Sequence, residues 1–315
     1  MTRDLHFGAR LDPGLGRYAA ILEHARLAER QGYDSIWVND HVALPEVVGT
    51  DEWLECFTTL SGLAREVERV RLGTLVVAVP WRNPALVAKM AATLSDMSGG
   101  WLVLGLGAGG GEREFRRYGW PVASPADRAR MVGEAAQVMR RMWTEHAPSF
   151  TGRYFEIDEA ICEPRPTSPP LILIGAFGDR VGLPVAAKHA DIWSLGAAGG
   201  AIEVYREKVE RINRLCEANG RDPDSLRRAV NVYAIIDSSH DRAIERLDRM
   251  IAARRAQPHL RATTIAGTPE EVAERMSPYL DLGASWFITY FWEPDPAAQA
   301  ENIERFATEV IPIFR

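Results

Sequence analysis

Asn39, Asp40 and His41 close an apolar run in "SIWVNDHV". Imidazole changes charge near neutral pH, and a carboxylate beside it can orient it or raise its pKa. An acid–imidazole pair at the end of a buried strand is equipped for proton transfer; a loop histidine with a capping aspartate is the plainer reading. A second stretch, "LVLGLGAGGGEREF" (102–115), spaces Gly105, Gly107 and Gly110 as Gly-x-Gly-x-x-Gly. In a dinucleotide-binding fold these glycines open a helix, and an acidic residue ends the next strand about 20 residues on. The residue near that distance is Asp127, in "SPADRAR", which reads as a helix start. That context speaks against the dinucleotide reading. Glycines at a strand end can also let a flat ring approach the backbone, or simply make a tight turn. A third stretch, "LILIGAFGDRVG", sets Gly175, Ala176, Phe177 and Gly178 between an apolar run and a helix expected to begin near Asp179. Free N–H groups at a helix N-terminus attract phosphate; a plain turn is again the alternative.

Other chemistry is thinner. Glu112 and Glu114 follow the glycine run, and either could serve a site there or face solvent. Trp37, Trp53, Trp81 and Trp193 fall in or near strand ends, where they would wall a slot for a planar ring or fill the core. The remaining histidines have no partners at metal spacing, so no metal is expected. There is no Gly-x-Ser-x-Gly elbow for acyl transfer.

The elements around these stretches alternate. Eight strand-like runs, "LHFGA", "DSIWVND", "RVRLGTLVVAV", "WLVLGLG", "LILIG", "ADIWSLG", "RRAVNVYAIID" and "SWFITYF", are nearly all followed by a helical pattern. Helices are expected over 18–31, 55–67, 83–97, 124–143, 179–189, 201–219, 240–255, 268–283 and 297–312. Thr268 and Glu271 have the spacing of a capping box. Residues 147–170 break the rhythm with five prolines and a possible hairpin near 154–157. That stretch reads as an excursion or lid within one unit spanning 1–315. Alternating βα units imply a parallel sheet. Eight in a chain of 315 residues favour α/β architecture closed as a (β/α)₈ TIM barrel with inserted segments. The active site is then expected at the C-terminal ends of the strands.

A net charge of −6 argues against a nucleic-acid or anionic-membrane surface. No apolar run approaches the ~18 residues of a membrane span. The residues "MTRDLHFGARLDPG" contain no signal-peptide core. Cys56, Cys162 and Cys216 are far apart and odd in number, which points to reduced thiols and the cytoplasm.

Taken together, these stretches resemble the bacterial luciferase-like flavin and deazaflavin oxidoreductases, over about Phe7 to Pro312. The resemblance is carried by "AERQGYDSIWVNDHV", "RVRLGTLVVAVPWRNPALVAKMAATLSDMSGGWLVLGLGAGGGEREFRRYG", "PPLILIGAFGDRVGLPVAAKHADIW" and "IAGTPEEVAERM" with "LGASWFITYF". It implies a barrel whose mouth holds an isoalloxazine-type ring and one small-molecule substrate. Asp40-His41 looks like the Asp-His of the coenzyme F-420 branch, which implies catalysis by His41 with Asp40 orienting it. Leu75-Val76 matches a non-proline cis peptide bulge behind the ring, with Ala78 beside it. Gly107, Ala108 and Glu112 would flank the ring, and Gly175, Ala176, Phe177 and Gly178 would cradle phosphate. The cofactor implied is coenzyme F-420, with FMN and an oxygen-using monooxygenase as the alternative. A homodimer is a family expectation. A barrel that only binds a ligand, without catalysis, is the rival from another class. The family's sugar-phosphate dehydrogenases carry a carboxylate where this chain has Gly110, and their Lys/Arg set has no evident match, so a sugar phosphate is not the expected substrate. The pocket is expected to be shaped by 41–55 and 147–170.

Overall fold

Runs such as "LVLGLG", buried at every position, have no polar face to give to water, so they pair as strands covered on both sides. The computed structural model describes residues 5–43, 50–195, 202–253, 259–293 and 295–315. In chain order the strands are β1 (His6–Leu11), β2 (Ser35–Val38), β3 (Arg71–Thr74), β4 (Val77–Ala78), β5 (Leu102–Gly107), β6 (Phe150–Thr151), β7 (Glu156–Ile157), β8 (Leu171–Gly175), β9 (Ile192–Leu195), β10 (Arg227–Ile236), β11 (Thr264–Gly267) and β12 (Ala284–Tyr290). Eight of them close a parallel ring in the order β1, β2, β3, β5, β8, β9, β10, β12, and β12 returns to β1 with His6 opposite Trp286. Helices cover the outside, so the chain is a (β/α)₈ barrel.

The interior is packed by side chains from several strands: Trp37, Val103, Leu173, Ile192, Ala229, Trp286 and Ile288 form one buried cluster. Trp37 requires small neighbours. A Cβ on Gly73 would stand 2.3 Å from its ring, and one on Gly8 2.5 Å from its Nε1. Glycine at both positions gives the indole its volume, and its N–H donates to Ser35 Oγ at 2.7 Å.

Helix starts follow their caps. Asn83 accepts from Ala85 N and Pro84 opens the helix to Met97; Ser124 caps Pro125–Thr144; Thr268 and Glu271 complete both halves of a capping box.

Several elements differ from the sequence reading. "RVRLGTLVVAV" is two strands, β3 and β4, with a cis Leu75–Val76 peptide between them. β11 is a ninth major strand, unforeseen because four residues squeezed between helices carry no period. It pairs with Tyr233–Ile236, the upper part of the long β10, whose lower part Arg227–Val230 pairs with β9. The helix from Cys56 stops at Leu63, and the one expected near Asp179 begins at Gly182. A π turn, Phe306–Val310, interrupts the last helix. Residues 44–49 of the expected pocket loop, and 196, 201 and 254–255 at expected element ends, lie outside the described residues.

The 147–170 segment does contain a hairpin, β6 against β7. Glu134, on the helix Pro125–Thr144, accepts the N–H groups of Arg153, Tyr154 and Phe155 at 2.8, 2.8 and 3.1 Å. The hairpin is therefore tied to the barrel's flank. None of its described residues lines the mouth, which corrects its expected place over the pocket.

Candidate active site

Parallel strands bring all their C-terminal ends to one side, and a cavity of ≈ 460 Å³ opens there. Its lining falls into two walls. One is built from residues at the ends of β3, β5 and β8: Leu75, Val76, Ala78, Gly107, Ala108, Gly175, Ala176 and Phe177. The other carries polar groups from β1, β2, β9 and β10: Arg10, Asn39, Asp40, His41, Ser194, Asn231 and Tyr233.

Glycines let β5 pack closely against β3 and Val76 behind this wall. A Cβ on Gly107 would meet Val76 Cγ2 at 2.4 Å, and one on Gly105 would meet Thr74 O at 2.1 Å. Beyond β8, Gly178 has nothing within 4 Å of its would-be Cβ, so the backbone there is open to approach. Gly178 is not among the lining residues of the mouth itself. Phe177 is about half exposed, with Lys208 Nζ 4.9 Å from its ring centre. That ammonium is engaged by Asp179 at 2.7 Å.

His41 is held by Glu114. Its Nδ1 lies 2.9 Å from Oε2, and Oε1 accepts Val42 N at 2.7 Å. A carboxylate acceptor fixes the proton on Nδ1 and leaves Nε2 as the nitrogen free to take up or release a proton. The rings of Trp53 and Trp81 stand edge-on to the imidazole at 6.0 and 6.3 Å. Trp37 and Trp193 are fully buried core residues instead.

Asp40 does a different job from the one expected. Its Oδ2 accepts Ala78 N at 3.0 Å, and Arg82 grips both oxygens at 2.5 and 2.8 Å. Arg82 also reaches Glu55 at 2.9 Å. Burial pushes the Asp40 carboxyl up, and Arg82 pulls only part of the way back. Asp40 thus ties the β2 end to β4, while Glu114 orients the histidine.

Of the two carboxylates after the glycine run, Glu112 is exposed and pairs with Arg116 at 2.8 Å. Glu114 is buried. The two lie on the short helix Glu112–Arg117 two residues apart, a spacing that points them to different faces. Buried Phe115 beside Glu114 is the signal that marks the inward face. Sequence reasoning missed Arg10, Arg82, Asn231 and Tyr233. Charged or amide residues near the C-terminal ends of buried strands, as in "HFGARL" and "VNVYAII", were the available sign.

A larger hollow, ≈ 680 Å³, lies between β9–β11 and the helices Ile202–Ala218 and Pro269–Asp281. His240 there is 3.1 Å from Glu271, which is already spent on the capping box.

Residues 5–285 match the family of luciferase-like monooxygenases, and the chain belongs to it. Among its relatives is an F-420-dependent glucose-6-phosphate dehydrogenase of Amycolatopsis mediterranei, 27% identical over 326 residues that cover 94% of each chain. Among solved structures, an F-420-dependent secondary alcohol dehydrogenase in complex with an F-420–acetone adduct superposes with a TM-score of 0.86, at 23% identity and 99% coverage of both chains. The F-420-dependent tetrahydromethanopterin reductase of Methanopyrus kandleri gives 0.82 at 20% identity, over 99% of this chain and all of its own. At those identities the two structures establish a shared fold.

Proposed function

We propose that this chain is a coenzyme F-420-dependent oxidoreductase that transfers a hydride between the deazaflavin and a small organic substrate. The observation that carries the reading is the pairing of a proton-transfer group, His41 on Glu114, with a side-chain-poor wall across the same cavity. The relatives named for F-420-dependent dehydrogenation support the choice of cofactor.

The residues fit such a group. The cavity has the size of a small-ligand site. Gly107 and Gly175 line the mouth without side chains of their own, and the space beside Gly107 goes to Val76, which faces the same cavity. Both amide atoms of buried Asn39 are without a partner among the described residues and available to a polar ring edge. Leu75, Val76, Ala78, Gly107 and Ala108 would hold the ring. Gly175, Ala176, Phe177 and Gly178 would hold its phosphate. Glu112, turned outward, has no part in this reading.

Coenzyme F-420, when bound, supplies hydride transfer; the protein supplies position and electrostatics. His41 exchanges the accompanying proton with the substrate through Nε2. Glu114 holds the imidazole in that tautomer and orientation. Trp53 and Trp81 stand edge-on to its ring and limit its movement. The same reading takes residues 1–315 as one unit with the insertion at 147–170, and places a homodimer in the cytoplasm, consistent with three free, buried thiols.

The test is a fluorescence titration of the protein with coenzyme F-420 and, in parallel, with FMN. Tight binding of the deazaflavin with substrate-dependent bleaching under anaerobic conditions supports the reading. Preference for reduced FMN with oxygen uptake replaces it by a monooxygenase.

A further inference from the structure

Arg10 projects from β1 into the mouth, and among the described residues it makes no salt bridge. The guanidinium touches Tyr233 Oη at 3.5 Å, and its carbon lies 4.2 Å from the centre of the Tyr290 ring. Its Nε is buried without a partner. Among the described residues no carboxylate comes within ion-pair distance of it. The nearest counter-charge along its own strand is Asp12, which sits behind Tyr290 and accepts that phenol's proton at 2.7 Å. The other charges around the mouth are matched: Asp40 on Arg82, and Glu114 on His41 and Val42 N. The two phenols and Asp12 favour the cation, yet none pairs with it as a bonded anion. A ligand carboxylate would supply that anion, and a charge-assisted bond out of water is stronger than a neutral one.

The ring order says which ligand. With strands in the sequence β10, β12, β1, β2, β3, β5, β8, β9, β1 stands diametrically opposite β8, and β10 opposite β3. Arg10 and Tyr233 therefore face Gly175 and the Leu75–Val76 wall across the full width of the barrel. If the cofactor lies on that wall with its phosphate beyond β8, its own anion is as far from Arg10 as the mouth allows. Arg10 is also the one Lys or Arg among the lining residues. One guanidinium matches the single charge and planar fork of a carboxylate better than a phosphate dianion.

We infer that Arg10, with the Tyr233 hydroxyl beside it, binds a carboxylate on the substrate, so that this enzyme acts on organic acids. The inference rests on the proposed placement of coenzyme F-420 and goes beyond it by naming the substrate class.

The probe is benzoate against its neutral isostere benzamide. Each is titrated into the F-420-loaded enzyme, read by cofactor fluorescence, and into the cofactor-free protein, read by tryptophan fluorescence. Expected is a preference for benzoate of roughly 10-fold or more, as charge-assisted hydrogen bonds supply. Arg10→Gln removes that preference and leaves the coenzyme F-420 Kd within about 2-fold. Arg10→Lys, which keeps charge without the fork, retains a weaker preference and covers the case in which the glutamine variant does not fold. Equal binding of benzoate and benzamide by the wild type overturns the inference. So does a loss of F-420 affinity in Arg10→Gln as large as the loss for benzoate, which assigns Arg10 to the cofactor. Failure of the wild type to bind F-420 at all sinks the cofactor reading alone, and the cofactor-free titrations then decide Arg10 independently.

Discussion

His41 Nδ1 and Glu114 Oε2 lie 2.9 Å apart although 73 residues separate them in the chain. The glutamate's second oxygen holds Val42 N at 2.7 Å, so one buried carboxylate fixes both the imidazole and the backbone that follows it. Glu114 is thereby a positioning residue. Glu114→Gln keeps the volume and removes the charge. Its kcat is expected to fall about 10-fold or more, within the roughly 10²–10⁴-fold that acid–base catalysis contributes. KM and the coenzyme F-420 Kd are expected to stay within about 2-fold, since neither ligand needs to touch Glu114. A parallel rise in Kd would show that the glutamate shapes the cofactor wall instead.

His41→Ala removes the group proposed to meet the substrate. Steady-state turnover is expected to drop by about 10²–10⁴-fold, with F-420 binding largely intact because the first wall lies across β3, β5 and β8. Unchanged turnover removes His41 from the mechanism.

Asp40 gives a stability prediction with a defined sign. Burial raises its carboxyl above the ordinary value of 3.8, with Arg82 opposing. The folded state therefore keeps a proton that the unfolded chain releases. Stability from this group is full below the unfolded value and declines as pH rises through the folded one. Denaturant melts of wild type and Asp40→Asn across pH 3–7 isolate the group. The wild-type advantage over the variant is expected to shrink as pH rises and then level off. An advantage that grows with pH contradicts the assignment. Arg82→Gln at neutral pH leaves Asp40 buried without its cation and is expected to cost up to about 3–5 kcal/mol.

The barrel was legible because parallel βα units write their rhythm locally: buried runs, caps such as Asn83 and Ser124, and glycines at helix ends. The mouth was partly legible for the same reason, since Asp40, His41 and the glycine wall sit at strand ends. What could not be read was pairing between distant strand ends. Asp40 and His41 are adjacent in the chain, yet their partners are Arg82 and Glu114, chosen by how β2, β4 and the short helix after β5 meet. Nothing next to Arg10 in the chain marks its place, which the closed ring alone gives it by turning its strand end inward. β11 escaped notice because its four residues carry no period of their own, and only the excess length of β10 gives them a partner.

Gly105 and Gly178 separate the two roles that glycine plays around this mouth. Gly105 exchanges two bonds with Thr74: its N–H donates to Oγ1 at 2.8 Å, and its carbonyl accepts from the hydroxyl at 2.9 Å. A methyl there would stand 2.1 Å from the Thr74 carbonyl oxygen, a backbone atom that cannot step aside. Gly105→Ala is therefore expected to push β5 from β3 and cost about 1–3 kcal/mol, read as a lower denaturant midpoint. A methyl on Gly178 meets nothing, so Gly178→Ala is expected to melt like the wild type. If the backbone there receives the cofactor's phosphate, the same variant weakens coenzyme F-420 binding measured by fluorescence. Unchanged affinity with unchanged stability moves the phosphate away from the Gly175–Gly178 loop.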